Sequence, residues 1–221
     1  GGSVGIGMAV AESFLKNGCN VIIAGTNENK LKQCCEKLNR GGRTSKYIVL
    51  NILEVSDIPG KIRTAAEMFG DNRIDILVNS AGILNSSSFF NTTEEEYDKL
   101  MDINVKGTYF MCQAMGQYMI EHHIQGHILN VSSSSALRPA WTPYQISKWS
   151  IRGFTLGLAD TLLPYGIIVN AIAPGPVATS MLGKKEGDNI YNPSCPIGRY
   201  ALPEEIANLA TFMVSDMGQM I

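Results

Sequence analysis

An α/β fold with a doubly wound parallel sheet, helices on both faces, is the architecture this sequence predicts. Three observations carry the expectation. Apolar blocks of strand length alternate with helix-length periodic segments along the whole chain. The strand blocks, such as 20–25 (NVIIAG) and 166–173 (GIIVNAIA), are almost continuously apolar, as strands covered on both faces must be. No linker, internal repeat or low-complexity stretch interrupts the alternation, so residues 1–221 read as one domain.

The elements follow in order. Residues 5–17 place Ile6, Val10 and Phe14 at helical spacing and stop at Gly18. Residues 20–25 read as a buried strand and 27–39 as a charged helix. Residues 46–52 (KYIVLNI) form the next strand and 56–69 the next helix. Residues 74–82 (IDILVNSAG) run from a strand into a glycine turn. Thr92-Thr93-Glu94-Glu95-Glu96 opens a helical region with capping-box character. That region breaks near Gly107 and continues to His123. Residues 126–132 are a strand, and Pro143 sits in the first turn of a long helix, 143–163. A strand follows at 166–173, and Pro203-Glu204-Glu205 opens the last helix, to about Ser215. The Gly- and Pro-rich stretch 174–202 is irregular, and 178–202 is long enough to serve as a substrate lid.

Composition excludes several function classes. Of 221 residues, 45% are hydrophobic and 17% charged, as in globular proteins rather than disordered ones. Eighteen basic and twenty acidic residues give a net charge of −2, so a nucleic-acid partner is not expected. The apolar runs fall far short of the roughly 20 residues a membrane span needs. Cys19, Cys34, Cys35, Cys112 and Cys195 are odd in number and form no C-x-x-C, which fits free thiols in a reducing cytoplasm. His122, His123 and His127 lack acidic or thiol partners at ligand spacing, so no metal site is expected. The sequence opens Gly1-Gly2-Ser3 and closes Met220-Ile221. It reads as a fragment, and a truncated chain is expected to fold poorly alone.

Two motifs carry chemistry. Gly1-x-x-x-Gly5-x-Gly7 opens the first helix. Glycines allow a tight turn and close backbone approach, and a helix N-terminus offers free N–H groups to a pyrophosphate. The spacing departs from G-x-G-x-x-G. Tyr144-Gln145-Ile146-Ser147-Lys148 places a phenol and an ammonium four residues apart, on one helix face. A neighbouring cation stabilises phenolate, which makes the pair a general acid/base.

The combination resembles the short-chain dehydrogenase/reductase family in its compact single-domain form, notably members that reduce 3-oxoacyl-carrier-protein thioesters. The matching pieces stand in family order: Gly1-x-x-x-Gly5-Ile6-Gly7, Asn79-Ser80-Ala81-Gly82, Asn104, Asn130-Val131-Ser132-Ser133, Tyr144-x-x-x-Lys148 and Pro174-Gly175-Pro176-Val177. The resemblance implies a Rossmann-type fold, with a central strand before Gly1 and an edge strand after the last helix outside this chain. It implies a hydride transfer between nicotinamide and a carbonyl or secondary alcohol. Tyr144 would exchange the proton, Lys148 would lower its pKa and hold the nicotinamide ribose, and Ser133 would polarise the substrate oxygen. Ser132 and Ser134 remain alternatives to Ser133. Asn104 would hold a water linking Lys148 to solvent.

For the cofactor, the resemblance implies Gly1, Ser3, Val4, Gly5, Ile6 and Gly7 at the phosphates and Asn51 and Ile52 near the adenine, although the family usually has Asp at position 51. Asn79, Ala81 and Gly82 would pass the adenosine ribose. Pro174, Gly175, Val177 and Thr179 would line the nicotinamide. At the end of the second strand, Gly25, Thr26 and Asn27 replace the acid that selects NAD, which favours NADP, with NAD the second choice.

Leu137, Pro139, Trp141, Met181, Leu182, Ile190 and Tyr191 are available to wall a substrate pocket. Lys184-Lys185 reads as a solvated charge pair, with contact to an acidic carrier protein or an anionic substrate as the alternative. Met101, Tyr109, Met111 and Met115 in one helical region, and Trp149, Phe154, Leu158 and Leu162 in another, are apolar on more than one face. Such helices fit a homodimer or homotetramer. The competing readings are a 3-oxoacyl-thioester reductase specifically and a non-catalytic dinucleotide-binding sensor. A methyltransferase with a similar glycine loop explains neither Tyr144-x-x-x-Lys148 nor the serine motif.

Overall fold

A computed structural model describes residues 1–40 and 44–221. Among the described residues, five parallel strands and seven α-helices alternate in the expected order: α1 (Gly5–Lys16), β1 (Val21–Gly25), α2 (Glu28–Leu38), β2 (Ser45–Val49), α3 (Ile58–Glu67), β3 (Ile76–Asn79), α4 (Glu94–Met101), α5 (Thr108–Glu121), β4 (His127–Val131), α6 (Pro143–Leu162), β5 (Ile168–Ile172) and α7 (Pro203–Met213). The sheet is divided. β1 pairs with β2, and β3, β4 and β5 pair in that order, all parallel. A cavity of ≈930 Å³ separates the facing edges of β1 and β3.

Two apolar clusters flank the sheets. Val10, Phe14 and Leu15 of α1 pack with Ile23, Leu31 and Leu38 and with Ala207 and Ala210 of α7. On the other side Ile58 and Ile62 of α3, Met111, Met115 and Met119 of α5, and Ile128 and Val169 form the second cluster. Met111, Met115 and Leu162 are therefore core, while Tyr109, Trp149 and Leu156 remain exposed. The apolarity on the outer faces of α5 and α6 is narrower than the sequence suggested.

Helix starts follow local chemistry. Thr142 and Gln145 form a reciprocal capping box before Pro143, with Thr142 Oγ1 accepting from the Gln145 N–H at 3.3 Å and Gln145 Oε1 accepting from the Thr142 N–H at 3.1 Å. At α4 the box is half made. Thr93 caps Glu96, but the Glu96 carboxylate accepts from the Ser87 hydroxyl instead. The break expected near Gly107 is a π-helical turn, Asp102–Gly107, between α4 and α5. A Cβ on Gly107 would lie 2.6 Å from Ile52 Cδ1, so a larger residue there would force the Ile52 side chain to shift.

Candidate active site

The glycine-rich segment folds into the turn that opens α1. Gly5 has φ +54°, a left-handed conformation costly for other residues. A Cβ on Gly7 would stand 2.2 Å from the Gly1 carbonyl oxygen, and one on Gly1 would stand 2.5 Å from the Ala81 nitrogen. No side chain caps α1 and no acid lies in its first turn. Gly5, Ile6 and Gly7 line the cavity that runs along β1 and β3, so the free N–H groups and positive dipole end of α1 open onto it.

Across that cavity stand the polar residues of β4 and α6. Lys148 is buried, and its ammonium donates to the Val131 carbonyl at 2.9 Å. It sits 5.7 Å from the centroid of the Tyr144 ring. Burial pulls the lysine down to about 8. Burial also raises the Tyr144 phenol, and a hydrogen bond with Ser133 offsets part of that rise. The direction is opposite to the lowering expected from a neighbouring cation, because desolvation of the phenol outweighs other influences here. At neutral pH the resting pair is phenol and ammonium.

Geometry gives the side chains of the serine run different partners. Ser132 donates its hydroxyl to the Lys148 carbonyl at 2.9 Å and is spent on holding α6. Ser133 caps the following turn, where its Oγ accepts from the Ser135 N–H at 3.1 Å, and its hydroxyl acts to lower the Tyr144 phenol. Asn104 lies behind the lysine, fully buried in the π-helical turn. Its Oδ1 accepts from the Ile83 N–H at 2.8 Å, and its Nδ2 donates to the Ile83 carbonyl and to Ser147 Oγ. A Cβ on Gly82 would lie 3.3 Å from Asn104 Oδ1 and 3.7 Å from Lys148 Nζ, so a glycine keeps that space clear.

Most of the other sequence-predicted cofactor residues line the same cavity: Gly1, Val4 to Gly7, Gly25, Thr26, Asn51, Ile52, Ala81, Gly82, Pro174, Gly175, Val177 and Thr179. Three are placed differently. The Ser3 carbonyl accepts from the Cys34 thiol. Asn27 caps α2, its Oδ1 accepting from the Lys30 N–H at 3.0 Å. Asn79 reaches the cavity wall, but its carboxamide turns inward to Asn130. Met181 and Leu182 add apolar wall, whereas Leu137, Trp141 and Tyr191 are strongly exposed. Lys184 is held by the fold, donating to the Asn189 carbonyl and resting on the Tyr200 ring. The base of the 178–202 segment is pinned by a two-pronged Arg199–Glu205 pair and by the Val177–Ala201 bridge.

A family model described as "short chain dehydrogenase" matches residues 1–189. The chain belongs to the short-chain dehydrogenase family. Its activity class is therefore NAD(P)-dependent oxidoreduction. A 3alpha-hydroxysteroid dehydrogenase of Mediterraneibacter gnavus is 35% identical over 230 residues, covering 100% of this chain and 90% of that protein. A 3-oxoacyl-[acyl-carrier-protein] reductase of Chlamydia muridarum is 34% identical over 227 residues, with coverage of 100% and 90%. Among solved structures, a gluconate 5-dehydrogenase from Burkholderia cenocepacia, in complex with NADP and tartrate, superposes with a TM-score of 0.89 at 26% identity. The match covers 100% of this chain and 88% of that one.

The bare glycine cradle and the uncapped start of α1 fit the pyrophosphate of the dinucleotide that short-chain dehydrogenases bind. Among the described residues no cluster of three or more potential metal ligands occurs, and no helix is long and apolar enough to cross a membrane.

Proposed function

We propose that the protein is an NADP-preferring enzyme that moves a hydride between nicotinamide and a carbonyl or secondary alcohol on an apolar scaffold. The observation that carries this reading is the convergence of Tyr144, Lys148 and Ser133 on the cavity that the glycine cradle also lines. The dinucleotide supplies or accepts the hydride when bound. Tyr144, protonated at neutral pH, donates its proton to the carbonyl oxygen in reduction and recovers it in oxidation. Ser133 donates to the same oxygen and orients it. Lys148, fixed by the Val131 carbonyl, offers its remaining N–H groups to the nicotinamide ribose and stabilises the phenolate left after proton transfer. Asn104, its carboxamide bonded to Ile83 and Ser147, borders with Lys148 the space beside Gly82 and ends a proton path there.

Pro174, Gly175, Val177 and Thr179 hold the nicotinamide end, and the glycine turn holds the phosphates. NADP is favoured because β1 ends in Gly25 and Thr26 without an acid. Residues 178–202 act as the lid, with Met181 and Leu182 facing substrate. The exposed Tyr109, Trp149 and Leu156 on α5 and α6 support a homodimer or homotetramer. Residues 1–221 act as one dinucleotide-binding domain, in a cytoplasmic setting suited to its free thiols.

Titration with NADPH and NADH, followed by energy transfer from Trp149 to the nicotinamide, tests the reading. Saturable binding that is tighter for NADPH is expected. Tyr144→Phe should keep that binding and lose turnover by about 100-fold or more in a carbonyl screen. Unchanged turnover in this variant removes Tyr144 from the chemistry.

A further inference from the structure

A chain of hydrogen bonds runs sideways beneath the site, from β3 through β4 to α6. Asn79 Nδ2 donates to Asn130 Oδ1 at 2.9 Å. Asn130 Nδ2 donates to Thr155 Oγ1 at 3.0 Å, and the Thr155 hydroxyl donates to the Ile151 carbonyl at 2.7 Å. Cys112 of α5 lies alongside, its thiol 3.5 Å from Asn130 Oδ1. Every bond runs in the same direction, so each polarises the next. Asn130 is fully buried and Thr155 nearly so. Polar groups at such positions stabilise little over apolar ones of equal shape, and they cost free energy when unpaired. What they add is a single fixed geometry.

That geometry is directed at the catalytic helix. Three consecutive residues at the end of β4 hold α6 at three points. Asn130 grips Thr155, the Val131 carbonyl accepts the Lys148 ammonium, and the Ser132 hydroxyl donates to the Lys148 carbonyl. Thr155 lies two turns beyond Lys148, about 10 Å along the helix axis. The Ser132 bond fixes the helix backbone at Lys148 alone, and the long lysine side chain adds little axial restraint, so a second fixed point is needed to set the helix direction. A short threonine bonded to a buried asparagine supplies it.

We propose that Thr155 is a positioning residue: through Asn130 it holds α6 in the register that sets Lys148 on the Val131 carbonyl and Tyr144 beside Ser133. The proposal rests on the roles of Tyr144 and Lys148 given above. It is tested by Thr155→Val, which trades the hydroxyl for a methyl group at nearly constant volume, and by Thr155→Ser, which keeps the hydroxyl. The first readout is the Lys148 titration, followed by NMR of 13C-labelled lysine with the resonance assigned from Lys148→Met. Tyr144 is the titratable group that faces it. The midpoint, about 8 in the parent, should hold in Thr155→Ser. It should move up by at least about half a pH unit in Thr155→Val, as a loosened helix admits water to the ammonium. The second readout is the NADPH dissociation constant, expected to weaken about fivefold in Thr155→Val and to recover in Thr155→Ser. If Thr155→Val melts at a lower temperature but keeps both values, Thr155 is merely structural and the proposal is overturned. Should Thr155→Val not fold, Thr155→Ala is read by the same criteria. A parent protein that binds no NADPH would sink the dinucleotide reading alone, since the Lys148 midpoint still decides the positioning role.

Discussion

Replacing Gly7 by alanine puts the glycine cradle to a quantitative test. The added Cβ would sit 2.2 Å from the Gly1 carbonyl oxygen, 2.9 Å from its carbon and 3.2 Å from Ser80 Oγ. The nearest atoms are backbone, so no flexible side-chain end can yield. Relief requires the turn and the start of α1 to part by about 1 Å. Hydrogen bonds of about 2.9 Å from the turn to a pyrophosphate would stretch to about 3.9 Å, beyond useful reach. Losing two such charge-assisted bonds costs about 3 kcal/mol, roughly 100-fold in affinity. Alanine is also the better helix former by about 1 kcal/mol, which offsets part of the strain in the folded protein. The expected result is a protein that still folds but binds NADPH about 100-fold more weakly. Gly60→Ala is the control, because nothing lies within 4 Å of the Cβ that α3 would gain. Isothermal titration of NADPH into parent and both variants measures the effect. NADPH affinity within about twofold of the parent in a folded Gly7→Ala would refute the assignment of this turn to the phosphates.

Two further outcomes follow from the site. Lys148 is charged at neutral pH yet buried, with its pKa pulled from 10.5 to about 8, a penalty of about 3 kcal/mol. Lys148→Met should therefore lose activity but melt higher at pH 7, by about 2 kcal/mol once the lost bond to Val131 is subtracted. The unfolded chain binds the proton more tightly than the folded one between about pH 8 and 10.5, so parent stability attributable to this group rises across that window. The gap between parent and variant should shrink as pH rises, and equal gaps in melts at pH 7 and pH 10 would contradict the buried-charge argument. Thr26→Asp places an acid at the end of β1 and should reverse the preference from NADPH to NADH by at least about tenfold in Kd, read by the same fluorescence titration.

Much of this site could be read along the chain because its parts are local. Tyr144 and Lys148 are one helical turn apart, and the glycine turn is seven residues long. Capping at Thr142 and Thr93 involves residues three positions apart. The order of strands and helices also followed from short-range periodicity, with boundaries within a few residues. What escaped the sequence depends on contacts between distant positions. Four consecutive serines look alike until Ser132 is found bonded to the Lys148 carbonyl, sixteen residues away. The Asn79 carboxamide is bonded to Asn130, a partner that no local spacing announces. Thr155 gave no signal beyond being a polar residue on an apolar helix face.

The direction of the Tyr144 shift has the same origin. Spacing shows that a cation is near, and a near cation favours phenolate. Burial is a property of the assembled fold, and here it raises the phenol and lowers the ammonium together. The amino-acid order was enough to establish an α/β chain with a glycine-rich turn at the start of a helix and a tyrosine–lysine pair, since each is written within one turn or one strand. Only the folded molecule decided that Ser132 is bonded to α6, where Asn104 stands and how the helix bearing Lys148 is held. Those are set by hydrogen bonds between residues 16 to 51 positions apart, which close only after the core has packed.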